Sequence, residues 1–136
     1  MPTPSLPPTV ACPDDLEPNN TPEEGKQLTT INRSCLGSFQ KEPVGNFDYY
    51  WVEPKIGEHI IADLTQIPSG ANYDLVLIRQ DGPHTFIPVQ RSEKTGQAPE
   101  HIDYRVDSNK RYFIRVALKA KATGAKDTYI LTAAIR

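Results

Sequence analysis

From Leu28 to the C-terminus the chain repeats one pattern: short runs that alternate apolar and polar residues, each broken by a turn signal after about ten residues. His59-Ile60-Ile61-Ala62-Asp63-Leu64 puts Ile60, Ala62 and Leu64 on one face. In Arg111 to Leu118, Tyr112, Ile114, Val116 and Leu118 share one face, and Phe113, Arg115 and Ala117 the other. Thr128 to Ile135 groups Tyr129, Leu131, Ala133 and Ile135. A period of two is that of a half-buried strand, and no convincing period of 3.6 competes with it.

Phe47–Val52, Tyr73–Arg79 and Glu100–Val106 are the other strong strand segments. Thr85–Gln90 is confined to an edge, because Pro88 has no amide proton for a ladder. Glu53-Pro54-Lys55-Ile56-Gly57-Glu58, Pro68-Ser69-Gly70, Asp81-Gly82-Pro83 and Ser108-Asn109 are the breaks between them. The fold class expected is all-β: an antiparallel β-sandwich or jelly roll of seven to eight strands. One helical turn is expected from Thr21-Pro22-Glu23-Glu24, with Thr at the N-cap, Pro at N1 and acids in the first turn. Gly25 ends it.

The first eleven residues differ in kind. Met1 to Val10 contains four prolines, a composition that favours extended polyproline II and reads as an interdomain linker. We therefore expect a linker over 1–11 and one β-sandwich domain over 12–136. A domain of this length buries about two-thirds of its unfolded surface, so it needs no structural metal to fold. The start, Met1-Pro2-Thr3-Pro4, is expected to be that of a fragment, with any export signal upstream in the parent protein.

Charge and composition narrow the partners. The formal net charge is −2 with both signs interspersed, so no basic stripe is present for nucleic acid. No apolar run approaches the length of a membrane span, and no membrane insertion is expected. Cys12 and Cys35 fit no Cys-x-x-Cys zinc or redox pattern. They read as a disulfide tying the N-terminal arm to the first strand; the alternative is two independent buried thiols. Closing that loop of about 24 residues corresponds to roughly 3 kcal/mol in the chain-entropy model.

Two clusters are rich in oxygen ligands. They are Asp14-Asp15-Leu16-Glu17-Pro18-Asn19-Asn20-Thr21 and Asn46-Phe47-Asp48-Tyr49-Tyr50-Trp51. Carboxylates and side-chain amides are the ligands of Ca²⁺, taken six to eight at a time, so a closed site needs both clusters to meet. The competing reading is turn chemistry, in which the same Asn and Asp side chains bond nearby backbone. His59, His84 and His101 have no metal spacing and read as solvated. No serine sits in a Gly-x-Ser-x-Gly elbow, no Cys–His pairing suggests an activated thiol, and the acids lie mostly at turns. The expectation is no catalytic residues. Half of the aromatics Tyr49, Tyr50, Trp51, Tyr73, Tyr104, Tyr112 and Tyr129 should face the core, and an exposed remainder would be a binding surface. Asn19 and Asn32 begin Asn-x-Ser/Thr sequons, relevant only in a eukaryotic secretory host.

The order of these segments resembles the bacterial pre-peptidase C-terminal domain family, which includes the collagen-binding domains of secreted collagenases. The resemblance rests on Glu17-Pro18-Asn19-Asn20-Thr21, Gly37-Ser38-Phe39, Asp48-Tyr49-Tyr50, Val52 to Glu58, Tyr73-Asp74-Leu75-Val76-Leu77 with Asp81-Gly82, Tyr112 to Val116, and Tyr129-Ile130-Leu131-Thr132. It covers roughly residues 14–135, in order. It implies a secreted, non-catalytic accessory module beside the catalytic domain of a peptidase, aiding folding, secretion or substrate attachment. The alternative it leaves is a free-standing module for an extracellular polymer, either a collagen-like protein or a polysaccharide. The resemblance also implies calcium held by Asp15, Glu17, Asn19, Asn20 and Asp48. Asn20 and Gly45-Asn46 stand where relatives often have acids, and fewer charged ligands imply weaker affinity.

Overall fold

The computed structural model describes residues 10–12, 21–29, 31–39, 47–95, 98–121 and 127–136. Ten strands run through them: β1 Val10–Ala11, β2 Lys26–Gln27, β3 Arg33–Ser38, β4 Phe47–Val52, β5 His59–Thr65, β6 Asn72–Gly82, β7 Thr85–Ser92, β8 Glu100–Arg105, β9 Tyr112–Ala120 and β10 Thr128–Ile135. They form two five-stranded sheets, ordered β1-β3-β10-β5-β8 and β2-β4-β9-β6-β7. Without the two-residue strands β1 and β2, the eight long strands have the order of a jelly roll: most consecutive strands cross between sheets, and β6–β7 is a hairpin within one.

The core forms where the apolar alternation predicts. Ile60, Ala62 and Leu64 of β5, Tyr112, Ile114, Val116 and Leu118 of β9, and Tyr129, Leu131 and Ala133 of β10 all belong to one buried cluster between the sheets. β6 departs from alternation, with every residue from Tyr73 to Ile78 buried. The reason is a second, smaller apolar cluster on the outside of its sheet: Tyr49, Val76, Ile78 and Phe113, with Phe47, Trp51 and Phe86 half-buried around them. So Tyr49 and Trp51 do share one face and Tyr50 the other, as the pleat requires. Most of the tempting aromatics are core.

The expected helical turn is a 3-10 turn over Pro22–Glu24, and Gly25 after it packs against the Phe113 ring. His84, in the β6–β7 turn, stands 3.9 Å from Glu23. The turn thus lies over the outer aromatic cluster.

All four sheet edges are occupied or blunted, which matters because a bare edge templates pairing with another chain. β1 pairs in parallel with β3, and β2 with β4, so the arm covers both edges on one side of the sandwich. Val10 and Ala11 therefore belong to the sheet, two residues earlier than the sequence boundary placed the domain. On the other side, Pro88 sits in edge strand β7 opposite Ile78, where the register slips. Side chains of β7 then cap β8: Gln90 Oε1 accepts from the Asp103 amide at 3.0 Å and Ser92 Oγ from the His101 amide at 3.1 Å.

The arm is pinned covalently. Cys12 and Cys35 form a disulfide, and both are buried. The Cys12 amide also donates to the Leu36 carbonyl at 2.8 Å.

Candidate functional site

One end of the sandwich concentrates buried polar chemistry. There β4 begins, β9 ends and β10 begins, because β4 and β9 run antiparallel with Asp48 opposite Val116. The inward positions of β4 are Asp48, Tyr50 and Val52, so a carboxylate occupies a site that alternation assigns to an apolar residue. Asp48 is 0% exposed. Its Oδ2 accepts from the Tyr129 hydroxyl at 2.6 Å. Tyr50 and Tyr129 hydroxyls lie 2.6 Å apart. Tyr129 has spent its one proton on Asp48, so Tyr50 is the donor in that second bond. The result is a short relay, Tyr50 to Tyr129 to Asp48, joining the two sheets.

Beside it stands a second buried acid, Asp127, just before β10. Its carbonyl accepts from the Phe39 amide at 2.7 Å, and its Oδ1 from the Tyr73 hydroxyl at 3.0 Å. Burial, then the Asp127 carboxylate, push the Tyr73 hydroxyl far above its ordinary range. Phe39, Tyr73 and Tyr129 pack edge-on or tilted around this point, with centroids 5.3–6.0 Å apart. Gly37 faces Tyr129 across the strands, and the phenol ring fills the space where any larger residue would place a Cβ.

Of the five calcium ligands expected from sequence, Asp48 is placed here. Asp15, Glu17, Asn19 and Asn20 lie outside the described residues. Among the described residues no group of three or more His, Cys, Asp or Glu side chains converges as a metal cluster. Asp127 was not anticipated. Its signal was the lone acid ahead of a strongly patterned strand, the same arrangement that precedes Tyr49-Tyr50.

Two further acids are buried toward this end. Glu100 accepts from Ser92 Oγ at 2.6 Å and the Lys94 amide at 3.0 Å, while its Oε2, like Asp74 Oδ1, has no hydrogen-bond partner among the described residues. Burial first, then the nearby Glu100, raise the Asp74 pKa; Glu93 adds to this, and Lys119 and Arg115 oppose it. A raised folded-state pKa means the folded protein binds this proton more tightly. Its contribution to stability is full below the ordinary value of 3.8 and is lost as pH rises through the folded value. We expect Asp74→Asn to melt above the wild type at pH 7, with the gap closing by about pH 4. A melting difference independent of pH rejects this.

The histidines are exposed as expected, but two of them bridge strands. His59 Nδ1 lies 2.8 Å from Asp103, and His101 Nδ1 2.6 Å from Asp63, across β5 and β8.

No protein-family model and no curated protein matches the chain. Solved structures do. The pre-peptidase C-terminal domain of a collagenase from Bacillus anthracis is 19% identical, over 85% of this chain and 99% of that one, with a TM-score of 0.56. Aeromonas hydrophila PliG, a periplasmic inhibitor of g-type lysozyme, is 12% identical over 82% and 96%, with a TM-score of 0.59. At these identities the likeness is one of fold.

Proposed function

We propose that this chain is a non-catalytic accessory domain of an exported bacterial protein, a peptidase in the reading the sequence favours. It would assist folding, secretion or substrate attachment of the catalytic domain beside it. The fold likeness to a pre-peptidase C-terminal domain supports this, and the disulfide fits an oxidising compartment.

The observation that carries the reading is Asp48. A fully buried carboxylate at the sandwich end stands where the resemblance puts a calcium ligand, and its donor chemistry fits a hard cation. In this proposal Asp15, Glu17, Asn19 and Asn20 of the arm supply the remaining oxygens, and the ion adds its charge to the disulfide in holding the arm. An ion bound only by the folded state at about 100 times its dissociation constant adds about 2.7 kcal/mol. Thermal melts in millimolar calcium and in excess chelator test it. We expect a higher Tm with calcium, abolished in Asp48→Asn; identical melts would overturn the calcium assignment.

The second reading, a free-standing module for an extracellular polymer, is favoured by the half-buried aromatics Phe47, Trp51 and Phe86 on the outer sheet face. Retention on insoluble collagen, cellulose or chitin would support it, and retention on none leaves the accessory role.

A further inference from the structure

The end of the sandwich opposite Asp48 has a different chemistry. There the end of β6, the β6–β7 turn and the β8–β9 loop (106–111) form an open cleft of ≈300 Å³ lined by Gln80, Asp81, Gly82, Pro83, Lys110 and Arg111, and the β4–β5 loop (53–58) is hydrogen-bonded to the β8–β9 loop. The loops brace one another. The Ile56 amide donates to Asn109 Oδ1 at 3.1 Å, the Gly57 amide to the Val106 carbonyl at 2.9 Å, and the Gln80 amide to the Arg111 carbonyl at 2.9 Å. The backbone that presents Lys110 and Arg111 is thus fixed from both sides.

Arg111 is oriented by a ring and held by one long ion pair. Its guanidinium carbon lies over the Trp51 ring, 3.7 Å from the centroid. Its ion pair, with Glu53, is 3.9 Å long, beyond hydrogen-bond reach. A stacked guanidinium is pre-organised for a planar, two-oxygen acceptor. Lys110 gives one proton to Asp81 Oδ1 at 3.0 Å and retains two. Asp81 is itself gripped by the fork of Arg79 at 2.6 and 2.9 Å. Among the lining residues, Lys110 and Arg111 against Asp81 leave an excess of one positive charge.

We propose that this cleft binds the carboxylate of an acidic sugar unit in an extracellular polysaccharide, through Arg111 and Lys110. The presence of Asp81 favours a sugar over an acidic peptide. A bare carboxylate is repelled by Asp81, whereas a uronate carries hydroxyl donors beside its carboxylate that can face Asp81 and Gln80 while the carboxylate meets Arg111. The cleft shares no residue with the Asp48 site, so the proposal goes beyond the accessory role and stands or falls separately from it.

The test is an amide chemical-shift titration of the whole chain with trigalacturonate at low salt. Saturable shifts are expected at Gly82, Lys110 and Arg111 but not at Asp48 or Tyr129, with about tenfold weaker binding for Lys110→Ala and for Arg111→Lys, which retains the charge but lacks the fork. The fully methyl-esterified trimer should not bind. Absence of saturable shifts, or equal binding of the ester, overturns the site. A glutamate tripeptide that binds as tightly overturns the saccharide class, and a sulfated disaccharide that binds more tightly overturns the carboxylate.

Discussion

The double variant Cys12→Ser/Cys35→Ser is expected to lose about 3 kcal/mol of unfolding free energy, the loop-closure value for its span in the chain-entropy model, and to melt roughly 10 °C lower. The reason lies in how little else holds β1. Its pairing with β3 is two residues long, Val10 with Cys35 and Ala11 with Leu36, and strands that short have no independent stability. Once the bond is gone, the amide at position 12 should exchange fast while that of Ile114, in the centre of β9, stays protected. The edge of β3 is then bare, so aggregation on heating should rise as well. Equal unfolding free energies for the oxidised wild type and the double variant, by urea titration, would show that the arm is held by something other than this bond.

Seven of the eight long strands were legible because alternation and strand-forming composition are local signals; β3 was expected only as the strand that the disulfide joins, without bounds. Pro88 on an edge and Tyr49 and Trp51 on one face follow from backbone chemistry that needs no tertiary information. The order of strands within the sheets was not legible. Alternation says which residues face inward, but not that β10 lies between β3 and β5. β1 and β2 escaped for a related reason: two residues carry no period, and Lys26-Gln27 is polar because its pairing is by backbone alone. Val10 and Ala11 looked like the end of a linker since their preceding prolines dominate the composition. Asp127 was missed because a single acid before a strand has the ordinary look of a turn residue. Only the fold brings it beside Tyr73.

Asp48→Ala is the second large effect, again about 3 kcal/mol, and its source is the Tyr129 hydroxyl. A hydrogen bond to a charged group is worth about 1.5–3 kcal/mol, and removing the acceptor leaves a buried donor stranded. Tyr129 can then turn its proton to the Tyr50 hydroxyl 2.6 Å away, a neutral acceptor in place of a charged one, while its ring stays wedged against the Gly37 backbone and packed on Phe39 and Tyr73. Asp48→Asn preserves an oxygen that can accept the same proton, so its cost in calcium-free buffer should be about 1 kcal/mol. The gap between the two substitutions measures the relay separately from the charge. A double-mutant cycle with Tyr129→Phe should give a coupling of about 1–2 kcal/mol; strict additivity would mean that the 2.6 Å contact contributes nothing. Calcium enters the same cycle as a third variable. If the ion binds through Asp48, added calcium widens the distance between wild type and Asp48→Asn and leaves the Tyr129→Phe step largely unchanged, because Tyr129 reaches the carboxylate from inside the core and the ion would reach it from the arm.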